Sequence, residues 1–125
     1  MKKDLRGFVD QLKAVSHPLR LRVLALLGSG EFCVCQVAET LKVPQSSVSE
    51  ALRELRRAGF LVERKEGRWV FVSVVAEAQA PAILPVLLAE AARLPEAQSD
   101  RAEAARVKGL ALPIPCPAAR EAAHA

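Results

Sequence analysis

At 125 residues, with 51% hydrophobic and 26% charged side chains, the composition is that of a single folded domain and excludes a disordered chain. No apolar run reaches the roughly 18 residues a bilayer crossing needs, and MKKDLRGFVDQLK lacks the apolar core of a signal peptide, so the expected compartment is the cytoplasm, with no membrane partner. A net charge of +4 points only weakly to an anionic partner, and three cysteines suit a three-thiolate site better than a disulfide framework.

Leu5, Phe8, Val9, Leu12 and Val15 recur at spacings of three and four, which predicts a helix over 5–15 with one apolar face. In SHPLRLRVLALLGSGE, Ser16 or His17 can cap a second helix, Pro18 suits its first position, and Gly28 with Gly30 marks its end. A short third helix is expected over 33–41, with Val34, Val37, Ala38 and Leu41 facing inward. After the turn KVPQ, a fourth runs over 45–58 and stops at Gly59, with Val48, Leu52 and Leu55 inward. Two short helices joined by a tight turn, the second polar and basic outside, make the pattern of a helix-turn-helix. Two β-rich runs follow, 61–64 and 69–74, joined by Lys65-Glu66-Gly67-Arg68. A hairpin in that place is a wing, whose tip would bring Lys65 and Arg68 beside a DNA backbone.

ILPVLLAEAARL predicts one more helix, its start obscured by Pro81 and Pro85, and apolar around so much of its circumference that it calls for a second copy of the chain. Beyond 94 the composition turns to alanine, proline and charge; SDRAEAARVKG can form a short helix, while ALPIPCPAA, which carries Cys116, is expected to be extended. The expected architecture is mainly α with a β-hairpin wing, an α+β winged helix-turn-helix that is homodimeric. Residues 1–94 would serve DNA binding and dimerisation, and 95–125 would form an Ala/Pro-rich tail.

Gln45, Ser46, Ser49 and Arg53 share the outer face of the fourth helix, with Ser47 and Glu50 alongside. Gln and Arg can pair bidentately with adenine or guanine edges, and serines suit phosphates or bases. A solvated helix face is the bland alternative, and the turn and wing in sequence order favour readout. For Cys33 and Cys35 the bland reading is core packing. Residues two apart on an ideal helix point roughly 200° apart, so both cannot be core, and both reach one ion only if the turn opens. The expected mechanism is therefore a distortion of that turn on binding. Thiolates select soft, thiophilic ions. His17 reads as a cap or core residue, His124 as having no role, and Trp69 as wing packing. No acid/base pair, nucleophile triad or phosphate-cradling glycine loop is present in the sequence, which argues against an enzyme.

LKAVSHPLRLRVLALL, EFCVCQVAETLKVPQSSVSEALRELRRAGFLV and EGRWVFVSV resemble the ArsR family of winged-helix metalloregulatory repressors, and the middle segment resembles its arsenic-sensing branch. The resemblance spans about residues 5–75. It implies a homodimer on double-stranded operator DNA, released when As(III) or Sb(III) binds cysteine thiolates as inducer, with no organic cofactor. The family's dimer surface would fall on 5–15 and 83–94. Two positions depart from the family's pattern. Where relatives often carry a basic residue and a histidine in the recognition helix, this chain has Glu50 and Ala51, and a carboxylate there could accept from a cytosine amino group. Some relatives have a third cysteine where this chain has Ala38, so the third ligand is expected to be Cys116. A zinc site on the last helix would have Glu77, Glu90 and Glu96 but no histidine. The alternatives left open are a thiol redox-responsive repressor on the same scaffold, a sensor of another thiophilic metal, and an interaction module that no longer reads DNA.

Overall fold

The structure, a computed structural model, describes residues 4–111. Helices α1 (Leu5–Val15) and α2 (Pro18–Leu27) lead into a two-residue strand β1 (Phe32–Cys33). Helices α3 (Val34–Leu41) and α4 (Gln45–Arg57) follow, then strands β2 (Leu61–Glu66) and β3 (Trp69–Val74). After a single 3-10 turn, α5 (Leu84–Ala92) and α6 (Pro95–Lys108) complete the described chain. This is a mainly helical winged helix-turn-helix with a small antiparallel sheet, strand order β1-β3-β2.

The core forms where the helical stripes meet the sheet. Val23, Leu24, Leu26 and Leu27 of α2 are buried with Phe32, Val37, Val48, Leu55, Phe60 and Val72. Helix α2 starts cleanly because His17 caps it: Nδ1 accepts from the N–H groups of Leu19 and Arg20 at 3.2 and 3.5 Å, and Pro18 occupies the first turn, where no N–H is needed. Between α3 and α4, Lys42 adopts a left-handed conformation (φ 57), which turns the chain sharply enough for Pro44 to cap α4. The wing is tighter than the sequence suggests: the strands run through Glu66↔Trp69, leaving a two-residue turn with Gly67 at φ +61.

Helix α1 is held at its start by Asp4, whose carboxylate accepts from Gly7 N–H at 2.8 Å. It buries Gln11, Ala14 and Val15, and Gln11 Nε2 donates to the Ala58 carbonyl at 3.2 Å. Of its apolar stripe Val15 is buried, while Leu5, Phe8, Val9 and Leu12 face outward, with Leu5 81% exposed. On α5, Leu88 packs inward so closely that its Cδ2 lies 3.0 Å from where a Cβ on Gly28 would stand, whereas Val86 is 61% exposed.

Residues 95–108 form a fourteen-residue helix that packs on α2 and α3. Pro95 begins it, and Arg22 of α2 clamps it by a two-pronged pair with Asp100, Nη2–Oδ1 2.8 Å and Nε–Oδ2 3.0 Å. The bond to Asp100 raises the Arg22 pKa against the opposing pull of burial. Its last turn reaches α3 and β1: Arg106 lies 3.8 Å from Glu39, and Lys108 Nζ sits 4.0 Å above the Phe32 ring. Asp100→Ala should lower folding stability by about 1–2 kcal/mol, the partial exposure of Arg22 keeping the loss below that of a fully buried pair. Chemical denaturation followed by circular dichroism measures it, and an unchanged midpoint would mean that α6 is held by its apolar contacts alone.

Candidate thiol and nucleic-acid site

Helix α4 buries Val48, Ala51, Leu52 and Leu55, and this sets the opposite face toward solvent. Gln45, Ser49 and Arg53 then fall at four-residue steps along one line, and Ser46 and Glu50 form a second line beside it. Across from them stands β3. Between the two elements lies a cleft of about 860 Å³ lined by Gln45, Ser46, Ser49, Glu50, Arg53, Arg56, Glu63, Arg68, Trp69 and Val70. Its floor also includes Cys33, Val34, Cys35 and Leu52.

Both cysteines reach this cleft because Cys33 is not helical. It caps α3 in an extended conformation (φ -74, ψ 149), and its N–H donates to Gln36 Oε1 at 2.9 Å, half of a capping box. It also belongs to β1, paired with Phe71 of β3. Only Cys35 lies within the helix, so the angular increment of a regular helix does not separate the side chains. The two sulfurs are 2.7 Å apart, either able to donate to the other, and neither is in a disulfide. The expectation that the thiols diverge, and that the first helical turn must open before both can bind one ion, is therefore corrected: they converge at the N-terminus of α3 with the helix intact.

The wing is tied to this segment by side chains as well as by backbone. Arg64 of β2 donates to both oxygens of Glu31, at 2.7 and 3.2 Å, and to Glu66 at 2.8 Å, while its guanidinium lies 4.7 Å from the centre of the Phe71 ring. The bond from Arg64 holds the Glu31 carboxyl below its ordinary pKa, and the reciprocal bonds raise that of Arg64. Arg56 of α4 forms an ion pair with Glu63 of β2, which fixes α4 against the wing.

Of the residues singled out in the sequence, Cys33, Cys35, Gln45, Ser46, Ser49, Glu50, Arg53 and Arg68 meet in this one cleft. Ser47 does not: it lines a smaller hollow of about 180 Å³ with His17, Leu19, Arg20, Glu50 and Ala51. Lys65 is exposed on β2 and is not part of the cleft wall. Cys116 lies outside the described residues, and among those described no three His, Cys, Asp or Glu side chains are grouped to hold a metal. Trp69 and Val70 were not foreseen as site residues. The hairpin pattern is legible in the sequence, but the cleft that Trp69 and Val70 line exists only once β1, too short to carry a period, pairs with Phe71 and Val72 of β3.

A family model described as "Bacterial regulatory protein, arsR family" matches residues 17–62, the stretch that contains α2, β1, α3 and α4. An uncharacterized HTH-type transcriptional regulator of Methanocaldococcus jannaschii is 44% identical over 64 residues, 50% of this chain and 72% of that protein. An arsenic resistance transcriptional regulator of Pseudomonas putida is 37% identical over 60 residues, 47% of this chain and 47% of that protein, so the match spans about half the length of that relative. The solved structure of HlyU from Vibrio cholerae matches with a TM-score of 0.62 at 29% identity, over 76% of this chain and 98% of that one. No helix among the described residues is long and apolar enough to cross a membrane. With its helix-turn-helix, its wing and these relatives, the chain belongs to the ArsR family of bacterial regulatory proteins and is a DNA-binding transcriptional regulator rather than an enzyme.

Proposed function

We propose that the chain is a metalloid-responsive repressor: a cytoplasmic homodimer that holds double-stranded operator DNA with α4 and the wing and lets go when As(III) or Sb(III) binds Cys33 and Cys35, with Cys116 as third ligand. The observation that carries this reading is the 2.7 Å contact between two thiols inside the cleft that also holds Gln45, Ser49 and Arg53. Soft thiolates favour a thiophilic ion, and three of them saturate trivalent arsenic as a neutral complex. An ion at this place lies between reader helix and wing, and Cys33 is both cap of α3 and backbone partner of Phe71. Separating the sulfurs to accommodate the ion shifts β1 against β3, and with it the spacing that α4 and the wing must keep to straddle a groove.

Reach permits Cys116 as the third ligand, from the same subunit or from the other. Lys108 sits on Phe32, the neighbour of Cys33, and from there to Cys116 the chain can extend about 26 Å at roughly 3.3 Å per residue. Gel shift on the protein's own promoter, with and without arsenite under a phosphine reductant, tests the reading: arsenite should free the DNA, and its failure to do so would remove the metalloid. A second reading, thiol redox control, draws on the contact of the two sulfurs and on a related structure described as reduced HlyU from Vibrio cholerae. Release by arsenite under full reduction excludes it.

The homodimer is supported by the outward stripe of α1 and by exposed Val86 on α5, an apolar surface that one small domain leaves uncovered. Val86→Glu should convert dimers to monomers with weakened operator binding while leaving the fold intact. Sedimentation at micromolar concentration reads it, and a monomeric unmodified protein would count against the dimer. Leu88 is unsuitable for this test, because it packs against Gly28 within its own subunit.

A further inference from the structure

Resting on the metalloid reading, we infer that Arg64 is the positioning residue that couples the thiol-bearing strand to the wing, so that a displacement of Cys33 is passed on to the wing tip. Phe71 of β3 is the cross-strand partner of Cys33 on one side and of Arg64 on the other. Residues opposite one another in an antiparallel sheet share a face, so Cys33, Phe71 and Arg64 form one row across all three strands. Glu31 stands two residues before Cys33, just ahead of β1. The Arg64 guanidinium engages each part of this arrangement. Its Nη2 and Nε fork onto the two oxygens of Glu31 at 2.7 and 3.2 Å, its Nη1 donates to Glu66 at 2.8 Å, and its Cζ lies 4.7 Å from the centre of the Phe71 ring. Glu66 is the last residue of β2, paired with Trp69 where the hairpin closes. One side chain therefore joins the segment leading into the thiols, the ring opposite Cys33 and the tip of the wing.

Backbone pairing alone is a weak link between these parts. Strand β1 pairs with β3 through two residues, Phe32↔Val72 and Cys33↔Phe71, whereas six pairs from Leu61↔Val74 to Glu66↔Trp69 join β2 to β3. The wing moves as a stiff unit, and a two-residue ladder can shear without carrying it. The fork onto Glu31 removes that slack: a shift of β1 pulls on Arg64, and through Glu66 on the tip that carries Lys65 and Arg68. Exposed ion pairs contribute little to folding stability, so this node decides where the wing sits relative to the thiols rather than whether the chain folds.

The experiment measures coupling as the factor by which saturating arsenite raises the operator Kd of the full chain under a phosphine reductant. In Glu31→Gln and in Arg64→Lys that factor should fall by about fivefold. Lysine keeps the positive charge on the wing but cannot fork onto one carboxylate while holding a second. The double variant should lose no more than either single one, because the two residues act as one link. Calorimetric titration of arsenite without DNA should give the unmodified affinity in both variants, which separates a role in coupling from a role in the thiol site itself. By linkage, operator weakens arsenite binding by the same factor, so repeating that titration with operator present measures the coupling a second time. An undiminished factor in either single variant, additive losses in the double variant, or weaker arsenite binding without DNA would overturn the inference alone. If arsenite leaves the operator Kd of the unmodified chain unchanged, the metalloid reading falls and the inference with it.

Discussion

Cys33→Ser and Cys35→Ser should each bind operator as tightly as the unmodified chain and lose release by arsenite altogether. The fold has reason to tolerate the first change. Cys33 occupies the cap position of α3 in a capping box with Gln36 three residues on, and serine there keeps the box as S-x-x-Q with a hydroxyl in place of the thiol. A serine cap is among the favoured ones, so α3 keeps or gains stability, by up to about 1 kcal/mol. Cys35 is half-buried at the edge of the cleft, where a hydroxyl can meet water. Neither hydroxyl replaces a thiolate toward a soft ion, because oxygen ligands suit hard cations. Removing one sulfur therefore leaves a single thiol in the cleft and no chelate. Fluorescence anisotropy of labelled operator, titrated with arsenite under reductant, separates the two halves of the expectation. Full release from both variants would take the pair out of the mechanism; lost DNA binding would make Cys33 or Cys35 structural.

What the sequence revealed and what it hid follow from the range of the interactions involved. Val48, Leu52 and Leu55 repeat at helical spacing over a long element, so α4 and its outward face were legible without coordinates. The apolar stripe of α1 is equally legible, yet periodicity records only that a face is apolar and not what covers it; Val15 at its end turns to the core with Gln11 and Ala14, while Leu5, Phe8, Val9 and Leu12 stay outside. Strand β1 spans two residues and exists because β3 pairs with it from 38 positions away in register, Cys33↔Phe71. Nothing local marks it, cysteine is not a usual capping residue, and FCVC reads naturally as helix. That single misplacement of Cys33 made the thiols diverge on paper. The clamp from Arg22 to Asp100 likewise joins residues 78 apart, so the packing of 95–108 against α2 was hidden behind an alanine- and proline-rich composition.

Arg53→Ala or Gln45→Ala should weaken specific operator binding by about 1–3 kcal/mol each, the cost of one lost bidentate base contact. The prediction rests on the line Gln45, Ser49, Arg53, which runs along the cleft face of α4 while the opposite face is locked into the core. Discrimination should fall with affinity at one base position per variant, because a base contact carries sequence information. Lys65→Ala and Arg68→Ala should behave differently: binding weakens alike on operator and random DNA, and the salt dependence flattens by about one phosphate contact. Within the wing the two need not be equal, since Arg68 lines the cleft and Lys65 stands outside it. Glu50 adds a sign test, for a carboxylate that accepts from cytosine should, as Glu50→Gln, relax specificity at that pair and raise non-specific affinity as a negative charge is withdrawn from the phosphates. Anisotropy titrations on operator, point-substituted operators and random duplex over a range of salt resolve these outcomes. Unaltered operator affinity in both Gln45 and Arg53 variants would remove α4 as the reading element, and with it the link by which an ion at Cys33 and Cys35 could sense whether DNA is held.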